Sequence, residues 1–223
     1  MIGVVIPALN AAATVGRVVA IARRCQPDVL VVDDGSCDET AIRSEQAGAS
    51  VLRLPANVGK GAALQAGFDW MLARGASAII TLDADGQHDP AEIPRFAAAW
   101  KQRAAHIVIG SRAAAFERMT KGRSFGNRFS CGAFAFFTGV RLSDSQSGYR
   151  LYDASFLEGL RLKRHAYDAE IEALLVAVRD RRRIVTIEIN VPDVDGSVSS
   201  HYRPWLDTYR MCRTVVLFSV TQI

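Results

Sequence analysis

The chain has 223 residues, of which 49% are hydrophobic and 22% charged, with a formal net charge of +4. This composition is typical of a soluble globular protein and allows one large domain or two small ones. The sequence has no apolar run near the ~20 residues that span a bilayer, no basic signal-peptide start, and no C-x-x-C spacing among its four cysteines. We therefore expect a cytoplasmic protein of bacterial type with reduced thiols and no nucleic acid partner.

The first half alternates between short apolar runs rich in β-branched residues and helical segments. The apolar runs predict strands at Ile2–Ile6, Val29–Asp33, Ser50–Leu54, Ser77–Leu82 and His106–Gly110. The segments between them predict helices at Ala12–Arg24, Asp38–Ala47, Gly59–Ala73 and Pro90–Lys101. Such alternation indicates an α/β fold, in which a parallel sheet is covered by helices on both faces. Ligands on such sheets bind at the carboxyl ends of the strands.

The second half is less regular. Its pattern predicts helices at Phe125–Phe137, at Asp168–Arg181 and from Pro204 onward, and a strand at Ile184–Val191. Residues 112–124 are predicted as a basic loop, Asp144–Arg150 as a compact polar segment, and residues 193–203 as a second flexible stretch.

Charge is distributed unevenly between the two halves. Residues 1–100 carry 8 Lys and Arg against 11 Asp and Glu, whereas residues 101–223 carry 19 against 12. An acidic half suits cation binding and a basic half suits an anionic partner. For any single arginine, a solvated position on a helix surface is the alternative interpretation.

Two aspartates follow the fourth predicted strand, in the segment TLDADGQHDP at residues 81–90. Residues i and i+2 of an extended chain point the same way, so Asp83 and Asp85 can converge on one point. Their carboxylates repel each other unless a cation lies between them, and oxygen ligands favour Mg²⁺ or Mn²⁺ over zinc. Gln87 could add a neutral oxygen. We interpret these three residues as a candidate metal site that bridges to a nucleotide diphosphate, with a plain turn as the alternative.

Other nucleotide-binding patterns fit less well. The turn after the first strand, Pro7-Ala8-Leu9-Asn10-Ala11, has no glycine, which excludes a G-x-G-x-x-G dinucleotide motif and disfavours a nucleotidyltransferase. The segment NVGKGAALQAG at residues 57–67 lacks the P-loop pattern. Lys60 within it either contacts a substrate or only opens a helix with a small-residue packing face.

Six motifs, IPALN, VVDDGSCDET, NVGKGAALQAG, LDADGQHDP, IGSR and DSQSGYR, occur in this order. Together they make residues 2–201 resemble the family 2 glycosyltransferases, in the branch of dolichol-phosphate mannose synthase and its bacterial polyprenyl-phosphate relatives. The resemblance implies a GT-A fold, a GDP- or UDP-linked sugar donor, a divalent metal, Mg²⁺ or Mn²⁺, and inversion at the anomeric carbon.

The resemblance also implies roles for individual residues. It places ten residues at the nucleotide sugar: Pro7, Leu9, Val32, Asp34, Lys60, Asp83, Ala84, Asp85, Arg112 and His201. Asp85 would hold the metal with Gln87 and Asp83, and Arg112 would meet the sugar or the phosphates, so Asp85 and Arg112 are the expected catalytic pair. Arg123 and Ser200 would contact the acceptor.

Two positions depart from the family pattern. Leu9-Asn10-Ala11 stands where the family usually has Tyr-Asn-Glu, and His201 stands where it has lysine. The sequence therefore leaves the sugar and the base open.

Three functional interpretations remain. A lipid-phosphate acceptor is already an anion and needs no general base, whereas a hydroxyl of a lipid or pigment precursor would need one, such as Asp144 or Asp168. The third interpretation is a non-catalytic sugar-nucleotide-binding protein or membrane-tethered scaffold. The retained set of Asp83, Asp85 and Arg112 argues against it.

The C-terminal segment is expected to lie outside the main domain. We expect residues 1–203 to form the GT-A domain, with a nucleotide-sugar half at 1–111 and an acceptor half at 112–203. Residues 204–223 mix aromatic and aliphatic side chains with Arg210 and Arg213, which suits a helix in the headgroup region on the inner face of the cell membrane. Packing on the domain, or on a second subunit in a homodimer, is the alternative.

Overall fold

The computed structural model describes residues 1–113, 121–164, 168–190 and 204–221. In chain order its strands are β1 Ile2–Ala8, β2 Val29–Asp33, β3 Ser50–Arg53, β4 Ala78–Thr81, β5 Ile107–Ser111, β6 Arg150–Asp153 and β7 Ile184–Glu188. The helices are α1 Val15–Cys25, α2 Thr40–Gln46, α3 Lys60–Leu72, α4 Ile93–Arg103, α5 Lys121–Thr138, α6 Ala154–Leu157, α7 Asp168–Arg179 and α8 Pro204–Thr221. A 3₁₀ turn at Pro90–Glu92 precedes α4.

The strands form one sheet in the order β3-β2-β1-β4-β6-β5-β7. All neighbouring pairs are parallel except those of β6, which runs antiparallel to both β4 and β5. The predicted mostly parallel α/β fold is therefore confirmed. β6 itself was not predicted, because its four residues follow a polar segment that reads as a loop.

Helices cover both faces of the sheet. One core cluster joins side chains of β1, β2 and β4 to α1 and α4, as in the contacts of Val19 and Phe96. The other joins the opposite face to α3, α5, α7 and α8, and includes Phe68, Leu174 and Val215. Burial of both faces accounts for the nearly uninterrupted apolar strands.

The starts of three helices differ from the prediction by three or four residues, and α4 begins at Ile93, after the 3₁₀ turn, rather than at Pro90. α5 begins at Lys121, before the expected Phe125, so part of the predicted basic loop 112–124 is helical. α1 begins at Val15, and the Oγ1 of Thr14 just before it donates to the carbonyl of Ala84 at 2.7 Å, which ties the start of this helix to the loop after β4.

Within the described part of the chain, none of the helices combines the length and apolar character that crossing a bilayer requires.

Two glycines test the packing of the sheet against its helices. A Cβ on Gly67 in α3 would lie 2.5 Å from Cγ1 of Val5, whereas a Cβ on Gly132 in α5 would meet no atom within 4 Å. We expect Gly67→Ala to lower the free energy of unfolding by about 1–2 kcal/mol through overpacking. Gly132→Ala should raise it by up to about 1 kcal/mol through helix propensity. Urea denaturation of both variants measures this, and equal effects would contradict the described packing.

Candidate active site

The carboxyl ends of β1, β2, β4 and β5 lie along one edge of the sheet, where the sequence predicted the site. The polar loops that follow these strands are joined by hydrogen bonds. The N–H of Asn10 donates to Oγ of Ser36 at 2.9 Å, and Cys37 N–H donates to Oδ1 of Asn10 at 2.9 Å. The first two loops are therefore fixed to each other beside the loop that carries the paired aspartates.

Lys60 lies between two carboxylates. Its Nζ is 2.6 Å from Oδ1 of Asp83 and 3.1 Å from Oε1 of Glu170, which is buried at the start of α7. A Cβ on Gly148 would lie 2.7 Å from Oδ2 of Asp83 and 3.0 Å from Oε1 of Glu170, so only glycine allows this approach. Burial raises the pKa of Asp83, but the Lys60 ammonium outweighs burial, and the pKa falls to about 2.

Asp85 lies in a different electrostatic environment from Asp83. Its Oδ1 accepts the N–H of Gln87 at 3.0 Å, and it forms no salt bridge with any described residue. Burial and the neighbouring charge of Asp83 raise the pKa of Asp85 to about 6. The pair therefore carries one carboxylate in an ion pair with lysine and one whose negative charge Lys60 and Arg112 compensate only in part.

This partly compensated carboxylate fits a divalent cation. Mg²⁺ and Mn²⁺ prefer oxygen ligands, and Mg²⁺ is usually held by one or two carboxylates together with phosphate oxygens of a substrate. Among the described residues, no three His, Cys, Asp or Glu side chains form a ready metal cage. The arrangement suits a cation that takes one protein carboxylate, Asp85, and completes its shell elsewhere.

Arg112, at the end of β5, is anchored by Asp144. Its Nε and Nη2 donate to Oδ2 and Oδ1 of Asp144 at 2.8 and 3.2 Å, and its backbone N–H donates to Oδ2 at 3.2 Å. Asp144 is fully buried and also accepts the N–H groups of Gln146 and Ser147. Burial raises the pKa of Asp144, but Arg112 outweighs it and the pKa is lowered. The salt bridge fixes the guanidinium while its Nη1 remains outside this bridge.

Arg150 holds together the segments that carry Gly148 and Glu170. It is fully buried, and its guanidinium donates to the carbonyls of Ser147, Glu170 and Ser145 at 2.8, 2.6 and 2.9 Å. One arginine thus joins the loop before β6 to the first turn of α7. This contact fixes Glu170 relative to Gly148 and, through Lys60, relative to Asp83.

His88 lies behind the paired aspartates. It is buried, its Nδ1 accepts the N–H of Asp83 at 3.3 Å, and its ring packs on Tyr149 with centroids 5.3 Å apart. Burial lowers the pKa of His88 to about 4, so the ring is neutral at physiological pH. His88 therefore holds the aspartate loop as a neutral acceptor and adds no charge to the site.

The remaining predicted nucleotide-binding residues lie along the same edge. Asp34 accepts the N–H groups of Val58 and Gly59 at 2.8 and 2.9 Å, which closes the loop before α3. Val32 is buried in the core, Ala84 is buried with its carbonyl bonded to Thr14, and Pro7 and Leu9 are partly buried. Contact of these residues with a nucleotide stays a prediction.

The predicted acceptor residues fall largely outside the described part of the structure. Arg123 lies in the first turn of α5, where only the backbone is described, and Ser200 and His201 lie outside the described residues. Their proposed roles stay predictions.

Sequence reasoning missed Glu170 and Gly148. Glu170 lies in α7, whose residues from Asp168 to Ala177 are all buried. A signal was present, because acidic residues alternate with Ala169 and Ile171 and leave the helix without a polar face. Gly148 gave no such signal, since its role depends on two carboxylates that are distant along the chain.

The opposite environments of the two aspartates predict opposite effects on stability. The folded pKa of Asp85 exceeds its unfolded value, so the ionised form is destabilising above pH 6 and this penalty disappears as the pH falls below about 4. The folded pKa of Asp83 is depressed, so its stabilising contribution is present above pH 4 and is lost as the pH falls towards 2. In metal-free buffer at pH 7.5 we expect Asp85→Asn to raise the free energy of unfolding by roughly 1–2 kcal/mol and Asp83→Asn to lower it by a similar amount.

Chemical denaturation at pH 7.5 and pH 4.5 measures both variants. The gain from Asp85→Asn should shrink at the lower pH. A loss of stability in both variants at pH 7.5 would contradict the unequal neutralisation of the pair.

Comparison with known proteins identifies the family of this chain. The sequence pattern of the family described as Glycosyl transferase family 2 matches residues 3–161. An undecaprenyl-phosphate mannosyltransferase of Micrococcus luteus is 33% identical over 175 residues, covering 74% of this chain and 71% of the relative. A polyprenol monophosphomannose synthase of Mycolicibacterium smegmatis is 32% identical over 215 residues, covering 88% and 79%.

The fold is similar to that of a solved glycosyltransferase. Glucosyl-3-phosphoglycerate synthase from Mycobacterium tuberculosis, in complex with Mn²⁺, UDP and phosphoglyceric acid, superposes with a TM-score of 0.76. The match covers 99% of this chain and 78% of the other at 23% identity, which establishes the shared fold alone. The family match, the similar relatives and the shared fold lead to one conclusion: this chain belongs to glycosyltransferase family 2.

Proposed function

We propose that the protein transfers a hexose from a GDP- or UDP-linked sugar to a polyprenyl phosphate, with inversion at the anomeric carbon and with Mg²⁺ or Mn²⁺ at Asp85. The observation that carries the proposal is the partly compensated carboxylate of Asp85 beside the ion pair of Asp83 and Lys60. A partly buried carboxylate next to another carboxylate is stabilised by a cation, and a nucleotide diphosphate would supply the other oxygen ligands.

The metal is proposed to be held by Asp85, with Gln87 and Asp83 as the predicted neighbours of its shell. When bound, the cation would neutralise the negative charge that develops on the leaving diphosphate. The proposed reaction needs no general base, because a phosphate oxygen of the acceptor is already a nucleophilic anion.

Arg112 is the proposed second electrostatic group. Its salt bridge with Asp144 fixes the plane of the guanidinium, and such preorganised donors stabilise developing charge without reorganisation during the reaction. Lys60 is held by Asp83 and Glu170, so its proposed role is to keep Asp83 ionised and in place next to the nucleotide.

The environment of the two candidate bases favours the phosphate acceptor over a hydroxyl. Asp144 is buried, accepts hydrogen bonds from three donor groups of Arg112 and from the N–H groups of Gln146 and Ser147, and has a lowered pKa. Asp168 is buried and accepts a hydrogen bond from Thr214 of α8 at 3.2 Å. Asp144 is therefore not free to act as a base, and the one oxygen of Asp168 without a hydrogen-bond partner among the described residues, Oδ1, is buried away from solvent. The names of the two similar relatives, both of which specify a polyprenyl-type phosphate, support the same acceptor.

A polyprenyl phosphate resides in a membrane, so the protein is proposed to work peripherally at the inner face of the cell membrane. α8 buries Val215 in the core and leaves Tyr209 66% exposed. Arg210 and Arg213 are also exposed on this helix. Such a face suits the headgroup region, and a contact between two copies of the chain is the alternative occupant.

Substitution of Asp85 tests the metal and the reaction together. We expect Asp85→Asn to slow transfer to polyprenyl phosphate at least about 100-fold, as removal of a key electrostatic group does in other enzymes. The variant should bind the nucleotide equally with Mn²⁺ and with chelator, whereas the wild type binds more tightly with Mn²⁺. Titration calorimetry with UDP and GDP measures this, with Asp69→Asn on the exposed side of α3 as the control. Metal-independent nucleotide affinity in the wild type would refute the metal site.

Substitution of Arg123 tests the acceptor. We expect Arg123→Ala to slow transfer to polyprenyl phosphate while hydrolysis of the sugar donor stays nearly unchanged, because Arg123 is predicted to contact only the acceptor phosphate. Arg24→Ala, at an exposed position of α1, is the control. Equal losses in transfer and hydrolysis would place Arg123 at the donor.

A further inference from the structure

A cleft lies between α7, α8 and the segment that follows α6. Its volume is about 550 Å³, which is within the range of roughly 300–1,000 Å³ of small-ligand pockets. It is lined by Gly159, Leu160, Arg161, Lys163, Arg164, Glu172, Val176, Arg179, Thr214, Leu217 and Phe218.

The rim of this cleft is basic. Four of the lining residues are cationic and one, Glu172, is acidic. Arg179 is paired with Asp180, and Nη1 of Arg161 lies 4.0 Å from Oδ1 of Asp69. Lys163 and Arg164, in contrast, have no salt-bridge partner in the described part of the chain. Oε2 of Glu172 accepts the N–H groups of Lys163 and Arg164, each at 2.9 Å. The carboxylate is therefore directed at the backbone, where it fixes the turn that presents the two cationic side chains.

The floor of the cleft is apolar. Leu160 and Val176 are buried, Phe218 is partly buried, and Leu217 of α8 is 36% exposed. Val216, beside Leu217 in α8, is also exposed. A basic rim above an apolar floor that opens to an exposed apolar helix face is complementary to an anionic amphiphile.

The cleft is distinct from the catalytic site. Glu170 contacts Lys60 at the site, whereas Glu172, two residues later in α7, lines the cleft. A Cβ on Gly61 would clash with the carbonyl of Arg164, so the start of α3 packs directly against the turn that forms the rim. The cleft and the paired aspartates are therefore neighbours separated by the first turns of α3 and α7.

We propose that this cleft binds the phosphate headgroup of an anionic membrane phospholipid and so docks the protein on the bilayer surface. Arg161, Lys163 and Arg164 would contact the phosphate, and the first acyl carbons would lie against Leu217 and Phe218. Guanidinium groups suit phosphate geometry, and each Lys or Arg near an anionic surface contributes to attraction. The inference rests on the proposed function in one respect, that the acceptor is a membrane lipid.

A charge-reversal pair tests the cleft. We expect Arg161→Glu/Lys163→Glu to weaken binding to phosphatidylglycerol vesicles at least roughly tenfold, measured by flotation at about 0.1 M salt. The matched control is Lys101→Glu/Arg103→Glu, which makes the same charge change at the same spacing on α4, an exposed helix on the opposite face of the sheet. Wild-type binding to phosphatidylcholine vesicles should be weak. If the melting temperature shows that the reversed pair does not fold, Arg161→Gln/Lys163→Gln is measured in its place. This neutral pair should give an intermediate loss of binding.

Other results would overturn the proposal. Equal losses in the cleft pair and the control pair would mean that overall charge, not the cleft, drives binding. Wild-type protein that ignores phosphatidylglycerol vesicles would exclude membrane docking. Displacement from vesicles by millimolar glycerol phosphate would assign the cleft to a soluble anion. Mn²⁺-dependent nucleotide binding should be unchanged in the cleft pair, so failure of the cleft proposal is distinguishable from failure of the proposed transferase activity.

Discussion

The ammonium group of Lys60, held between the partly exposed carboxylate of Asp83 and the buried carboxylate of Glu170, is the contact on which the site depends. Burying a charge without a partner costs several kcal/mol, and one lysine compensates only part of the negative charge gathered here. Asp85 carries the least compensated charge, because burial and the charge of Asp83 raise its pKa more than Lys60 and Arg112 lower it. A cation would therefore be stabilised at this edge of the sheet, where ligands of α/β proteins bind.

The surrounding structure holds this unfavourable arrangement in place. Arg150 joins three backbone carbonyls from two segments, and Gly148 allows two carboxylates to approach where any side chain would clash. Asp144 fixes Arg112 by a bidentate salt bridge. These contacts thus hold groups around a charge that destabilises the fold until a ligand binds. Such a trade-off between stability and function is common at functional sites.

Sequence reasoning reached the main features that local patterns encode. The parallel sheet followed from the alternation of apolar runs and helices, and the location of Asp83 and Asp85 at a strand end followed from the paired spacing in LDADGQHDP. These features depend on a few consecutive residues. The similarity to glycosyltransferases followed from motif order, and the family match confirms it.

Features that depend on distant residues were not predictable in the same way. β6 is only four residues long and pairs antiparallel with β4 and β5, so its strand character comes from its neighbours. The predicted contact of Arg112 with a sugar did not anticipate Asp144 as its anchor, and Glu170 reaches Lys60 only because α7 packs beside α3. Each of these depends on tertiary packing, which sequence spacing does not specify.

The most direct test of the central claim is an NMR titration of the Asp85 side-chain carboxyl carbon in chelator. An apparent midpoint near pH 6 is expected, with Asp83 still ionised well below pH 4. Addition of Mg²⁺ with UDP or GDP should then lower the Asp85 midpoint, because the cation stabilises the ionised form. A midpoint near pH 4 that does not respond to metal and nucleotide would contradict the account.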